Sequence, residues 1–355
     1  MKKIRIIRFI LLVIFATPFI EINAQNRNVV NIMDYIANIK GDVASDIQRA
    51  IDENPNRVIY FPDGIYKIST PILTPANPYK SVSLELSNYA VIQPTEKWNS
   101  DNAMICLGGK DPYNTILVPG SNYYFSGGVI DCLGKASGIS VDSGRETLIK
   151  NTAIKNAQIG LHIKKGLNGG SSDCDILDVN ITGNMNKNSI GILLEGHDNT
   201  ITNVRIYRMQ TGVMISSGSN ILRNVHPLYG STDDTLYASG CAFIDKYGNN
   251  WYDFCYSDQY AIGFRIESGV SIYNDCFSYW YSNRGEKHIC FQSVGAFNSI
   301  ATNFKMGLNK RNAVKQNIVL DELNTTVKGS GYFQNIVIQA PELITSDSYK
   351  KYTKN

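Results

Sequence analysis

The sequence predicts an all-β chain: a single-stranded right-handed parallel β-helix, a solenoid closed at its start by one capping helix. Two interleaved repeats, and the absence of helical periodicity beyond about residue 120, carry that expectation. The first repeat reads Ile201-Thr202-Asn203-Val204-Arg205-Ile206 and returns as Leu222-Arg223-Asn224-Val225-His226-Pro227. Trp251-Tyr252-Asp253-Phe254-Cys255-Tyr256, Ile272-Tyr273-Asn274-Asp275-Cys276-Phe277 and Ile300-Ala301-Thr302-Asn303-Phe304-Lys305 continue it, with starts 21, 29, 21 and 28 residues apart. Ile149 and Ile176 open two looser copies. The second repeat is Gly followed by alternating apolar residues, as in Gly160-Leu161-His162-Ile163, Gly191-Ile192-Leu193-Leu194, Gly212-Val213-Met214-Ile215 and Gly263-Phe264-Arg265-Ile266. Several short strands within a period in the low twenties signal a solenoid. Within the repeats neither amphipathic helices nor a leucine-rich pattern is present, which leaves a parallel β-helix with coils stacked at roughly 4.8 Å. Asn suits its sharp corners, because it tolerates left-handed backbone and can ladder its side chain from coil to coil.

Taken in chain order, residues 1–24 read as a secretory signal peptide. Lys2 to Arg8 give a positive start, Phe9 to Ile20 an apolar stretch, and Ile22-Asn23-Ala24 a small residue before the cut. The apolar stretch is short for a span of roughly 20 residues, so the expected mature chain, 25–355, is secreted or periplasmic with no membrane span. It is read as one domain: an amino-terminal cap over 25–75, coils over about 80–340, and a tail over 341–355. Within the cap, Asp42 to Ile51 places apolar residues on one helical face and predicts the plug that blunts the solenoid's open end. Arg57 to Ile68 follows as strand, turn and strand.

Composition is that of a globular chain, 43% hydrophobic and 18% charged. The formal charge of +3 (34 Lys and Arg against 31 Asp and Glu) comes entirely from Lys2, Lys3, Arg5 and Arg8 against Glu21. The mature body is thus neutral, which disfavours nucleic acid as a partner. All seven cysteines lie in that body without C-x-x-C or zinc-like spacing, so no metal site is assigned and most are read as small buried hydrophobes.

Strand alternation divides the first repeat into inward and outward positions. With Val204 and Ile206 inward, one outward column becomes Arg205, His226, Cys255, Cys276 and Phe304. The next becomes Tyr207, Leu228, Ser257, Ser278 and Met306, with Arg208, Tyr229, Asp258, Tyr279 and Gly307 at the corner beyond. Cys255 and Cys276, one rung apart in this register, would stand close enough for a disulfide or for stacked free thiols. The longer periods add residues at one corner, over 230–239, 281–287 and 308–315. They would form a wall carrying Asp233, Asp234, Tyr237, Tyr281, Arg284 and Lys287. Aromatic rings among charges suit sugar stacking and uronate recognition.

The pattern resembles the pectate-lyase-like, or pectin-lyase fold, superfamily. Gly41-Asp42, Asp46, Phe61-Pro62-Asp63-Gly64-Ile65-Tyr66 and Ser126-Gly127-Gly128-Val129-Ile130-Asp131 are similar to motifs that open such helices, with Val43 where a second Gly is usual. The resemblance implies a polysaccharide partner lying along one outer face. It does not select a reaction, since the fold hosts lyases, hydrolases, epimerases and phage spike proteins.

Elimination from a uronate needs a base for the C5 proton and positive charge beside the carboxylate. Arg205 and His226, one coil apart and within about 5 Å, suit those roles, with Tyr229 and Arg284 nearby. Glycoside hydrolysis needs paired carboxylates, for which Asp233 and Asp234 are the candidates. The N-T-D, G-H-G and R-I-K signatures of polygalacturonase-type hydrolases are absent; Gly196-His197-Asp198 is the nearest approach to one. The expected function is therefore a polysaccharide lyase acting on uronate-containing chains. A glycoside hydrolase and a non-catalytic glycan-binding β-helix are the alternatives. Arg205, His226, Tyr229, Asp233, Asp234 and Arg284 are the catalytic candidates, and Tyr207, Tyr237, Asp258, Tyr281 and Lys287 those for binding substrate. No cofactor is assigned; Ca2+ is the one ion whose preference for carboxylate oxygen matches Asp173, Asp175, Asp233 or Asp234.

Overall fold

The computed structural model describes residues 29–111, 124–166, 171–230, 236–280, 288–296, 298–308, 318–322 and 330–338. Its strands pair in parallel, each coil against the next, and build three faces. A ten-stranded sheet runs from Ile72–Pro75 to Ile318–Glu322 and forms one face. The other two are halves of a bent 21-stranded sheet, fused where Thr200–Tyr207 and Ile221–Leu228 run uninterrupted through both. The first face begins at Val29–Asn31 and reaches Tyr332–Gln334; the second begins at Gly64–Ile68 and reaches Val337–Ile338.

The bend between these halves is a column of residues in left-handed backbone: Asn203 (φ 56°), Asn224 (51°), Phe254 (53°), Asp275 (52°), Asn303 (52°) and Asn335 (52°). Asn and Asp adopt this region at low cost, and their side chains ladder between coils. Asn224 Nδ2 donates to Asn203 Oδ1 at 2.8 Å, and Asn203 Nδ2 to Asp178 Oδ1 at 3.1 Å. A second ladder is wholly buried where the first-face strands begin. Asn199 Nδ2 donates to Asn220 Oδ1 at 2.9 Å, and Asn220 Nδ2 to Asn250 Oδ1 at 3.0 Å. Each amide thereby satisfies its neighbour's orphan groups inside the solenoid.

The glycine that opens the second repeat is explained by close approach. A Cβ on Gly191 would lie 2.5 Å from both Gly212 O and Ile206 Cγ2, so a larger residue would push the coils apart. Interior aromatics stack along the axis, with Phe243 over Phe264 (centroids 4.8 Å apart) and Tyr252 over Tyr273 (4.4 Å). The capping helix spans Ala44–Glu53, two residues later at each end than its periodicity indicated, and buries Ala44, Ile47, Ala50 and Ile51. Asp42 Oδ1 accepts from Ala44 N at its first turn and from Ser69 N, tying helix to coil.

The register differs from the sequence reading by one residue at a single step. Leu222 pairs with Tyr252 rather than Trp251, so this coil is 30 residues long, not 29. A one-residue slip exchanges the two sides of a strand. Cys255, Cys276 and Phe304 therefore continue the inward column of Val204 and Val225, and all are fully buried. Ser257, Ser278 and Met306 are likewise inside. The expected outward placement of these six is wrong. Apolar Trp251 looked like the inward residue, yet it faces out. All seven cysteines are buried and none is in a disulfide, with Cys255 Sγ against Leu222 O and Cys276 Sγ against Tyr252 O.

Candidate functional site

The corrected register builds a second-face column of Arg205, His226, Tyr256, Phe277 and Lys305, and beside it Tyr207, Leu228, Asp258, Tyr279 and Gly307. Alternation turns these side chains outward, and stacking of the coils sets them one above another. An Arg205 terminal nitrogen lies 3.2 Å from His226 Nδ1, and His226 Nε2 lies 3.5 Å from Asp258 Oδ2. Guanidinium has only donors, so Nδ1 accepts and the imidazole proton sits on Nε2, toward the carboxylate. The His226 ring stacks on Tyr256 (centroids 4.1 Å apart, planes at 18°), and Tyr256 on Phe277 (4.8 Å). Lys305 Nζ stands 4.9 Å over the Phe277 ring.

His226 and Asp258 are half-sunk in this surface, with side chains 20% and 14% exposed. His226 Nε2 and Asp258 Oδ1 are buried without a hydrogen-bond partner. Such atoms are costly unless something satisfies them. Burial, followed by the charge of Asp258 and a hydrogen bond to it, raises the Tyr256 phenol well above its ordinary value. Tyr256 thus stays a donor to that carboxylate. In these two columns Asp258 is the one carboxylate, set between the cations Arg205 and Lys305.

Of the residues singled out in the sequence, Arg205, His226, Asp258 and exposed Tyr207 share this face; the Tyr207 hydroxyl donates to Gly230 O at 3.2 Å. Tyr229 and Tyr237 do not. Both are buried, packed edge to face with centroids 5.2 Å apart, and Tyr229 also meets Tyr260 at 5.4 Å. The Tyr237 hydroxyl lies 2.6 Å from His288 Nδ1 inside the solenoid. These two tyrosines, expected at the surface of this corner, belong to the core. Asp233, Asp234, Tyr281, Arg284 and Lys287 lie outside the described residues, as do the signal segment and the tail. Asp173 pairs with Arg145 at 2.8 Å, and among the described residues no three His, Cys, Asp or Glu side chains converge to hold a metal. His162 pairs with Glu195 at 2.8 Å on the ten-stranded face.

Tyr256, Phe277 and Lys305 escaped the sequence reading. They are the residues that the slip placed inside, and a rule filling inward slots with Cys255 and Cys276 would have recovered them.

No family model matches the sequence, and no curated protein matches it. Solved structures do. A protein of Geobacillus virus E2, ORF18, aligns with TM-score 0.63 at 13% identity over 87% of this chain, which spans 62% of the viral protein's length. The endo-xylogalacturonan hydrolase from Aspergillus tubingensis aligns with TM-score 0.62 at 14% identity, covering 88% of this chain and 93% of that one. The alginate lyase from Paenibacillus sp. str. FPU-7 aligns with TM-score 0.52 at 14% identity, covering 87% and 99%. With its all-parallel coils, the chain has the right-handed parallel β-helix of the pectate-lyase-like proteins.

Proposed function

We propose that the protein is an exported polysaccharide lyase that cleaves uronate-containing chains by β-elimination on the second face. The observation that carries this reading is the Arg205–His226–Asp258 arrangement, with its two unsatisfied buried polar atoms. A uronate carboxylate drawn to the Arg205 guanidinium takes over the contact now made to Nδ1 and leaves that nitrogen's lone pair free beside the sugar. Nδ1 then accepts the C5 proton while the Asp258 carboxylate, 3.5 Å from Nε2, stabilises the imidazolium that forms. This is the orienting role a carboxylate plays behind a histidine base. The electron pair of the C5–H bond becomes the C4–C5 double bond. The C4–O bond breaks, and the leaving oxygen takes a proton from solvent. Arg205 neutralises the charge that develops on the carboxylate.

That the similar structures include a lyase and a hydrolase acting on polysaccharides supports a glycan substrate. Elimination is favoured over hydrolysis by the described residues of the two columns, which set one carboxylate, Asp258, beside a histidine and an arginine. Incubation with polygalacturonate, alginate and glucuronate-containing chains, followed by the ultraviolet absorbance of the unsaturated product, tests the reading. New reducing ends without absorbance would replace it with hydrolysis, and intact chains with binding alone.

A further inference from the structure

Around the left-handed corner from this site, on the first face, lies a groove of about 470 Å3 lined by Ile221, Arg223, Trp251, Asp253, Ile272 and Asn274. Trp251 in this lining is 40% exposed, and Arg223 Nε pairs with Asp253 Oδ2 at 3.1 Å. Phe254 stands at the corner, 57% exposed, in left-handed backbone where the neighbouring rungs carry Asn224 and Asp275. A bulky side chain is a true outlier in that region, and such strain persists where a site makes use of it. Trp251 and Phe254 are three residues apart, a span of about 10 Å along the strand, with the ion pair between them.

We infer that this groove is a second carbohydrate-binding site, selective for neutral oligosaccharides that present vicinal hydroxyls. Sugar rings have apolar faces that stack on an exposed indole or phenyl, and hydroxyl edges that need paired donors and acceptors. The Arg223–Asp253 pair offers planar donors beside a carboxylate acceptor, the complement of a diol. Its charges cancel, so it has no preference for an anion; that separates it from the Arg205 site. The site is independent of the proposed elimination, and His226→Ala leaves it intact.

The chain has three tryptophans, of which Trp280 is fully buried and Trp98 half-buried, so a change in emission on adding ligand to this groove reports on Trp251. Titration with xylo-, gluco- and galacto-oligosaccharides is expected to shift and quench the emission saturably for at least one series. Trp251→Ala should remove the response, and Arg223→Ala should weaken binding about tenfold. Phe254→Asn restores the corner ladder and should raise the denaturation midpoint while lowering affinity, a combination that a purely structural Phe254 would not give. A flat titration with all three series overturns the proposal. So does a dimer in sedimentation equilibrium that Trp251→Ala dissociates, since the groove would then be a contact between copies.

Discussion

The imidazole of His226 lies flat on the ring of Tyr256, centroids 4.1 Å apart and planes at 18°. The two residues are 30 apart in sequence and one coil apart in space. This stack fixes the face of the catalytic candidates, because it brings Asp258, two residues past Tyr256, beneath His226 Nε2. A ring held on one side by a stack and at Nδ1 by Arg205 has little freedom to turn.

His226→Ala is expected to lower kcat on a uronate polymer by about 10^3-fold, within the range for a general base. Asp258→Asn should lower kcat by about a hundredfold with KM little changed, since it acts through the imidazole. Steady-state rates of unsaturated-product formation check both, and equal losses in KM would point to binding instead.

The inward register of the cysteines makes a separate prediction. Cys255→Val should change stability by less than about 1 kcal/mol, as a volume-matched apolar exchange, whereas Cys255→Asp should cost about 3 kcal/mol or more. Burial raises the thiols of Cys106 to about 11 and of Cys174 and Cys241 to about 12, and that of Cys276 well above its ordinary value. Because all seven are buried, a thiol reagent should label none of them before denaturation. Rapid labelling of Cys255 in the native protein would contradict the register.

This register also shows what the sequence made legible and where it stopped. Parallel coils, the left-handed Asn corner, the capping helix and the Arg205–His226 neighbours all follow from local patterns, since period, corner chemistry and strand alternation are written in adjacent residues. The 30-residue step is not, because two aromatic residues, Trp251 and Tyr252, satisfy the inward slot equally well by hydropathy. What selects Tyr252 is a long-range contact, its stack on Tyr273 and its hydroxyl on buried Asp245 at 3.1 Å. Tyr229 and Tyr237 were misplaced for a related reason: a tyrosine beside an insertion reads as surface until its hydroxyl or ring edge finds partners in the core.

The buried ladder should be intolerant of gaps. Asn220→Ala removes the acceptor of Asn199 Nδ2 and the donor to Asn250 Oδ1. It should cost about 2–3 kcal/mol in urea denaturation, the cost of stranded buried polar groups. An exposed counterpart, Asn303→Ala, should cost less, about 1 kcal/mol.

His288 gives the folded state a pH dependence. Burial lowers its pKa from 6.5 to about 4. Between these values the unfolded chain binds a proton that the folded one does not, so stability falls as pH drops through 6.5 toward 4, by up to about 3 kcal/mol. Denaturation midpoints at pH 7 and pH 4.5 should differ less in His288→Gln than in the parent. An identical acid slope in both would place the effect elsewhere.

The central claim is elimination on the Arg205–His226–Asp258 face, and its most direct measurement is the ultraviolet absorbance of a uronate polymer incubated with the parent protein and with His226→Ala. A steady rise with the parent that is lost in the variant, while both keep the same denaturation midpoint, is the predicted result. A rise that survives His226→Ala, or reducing ends released without any absorbance, would contradict it.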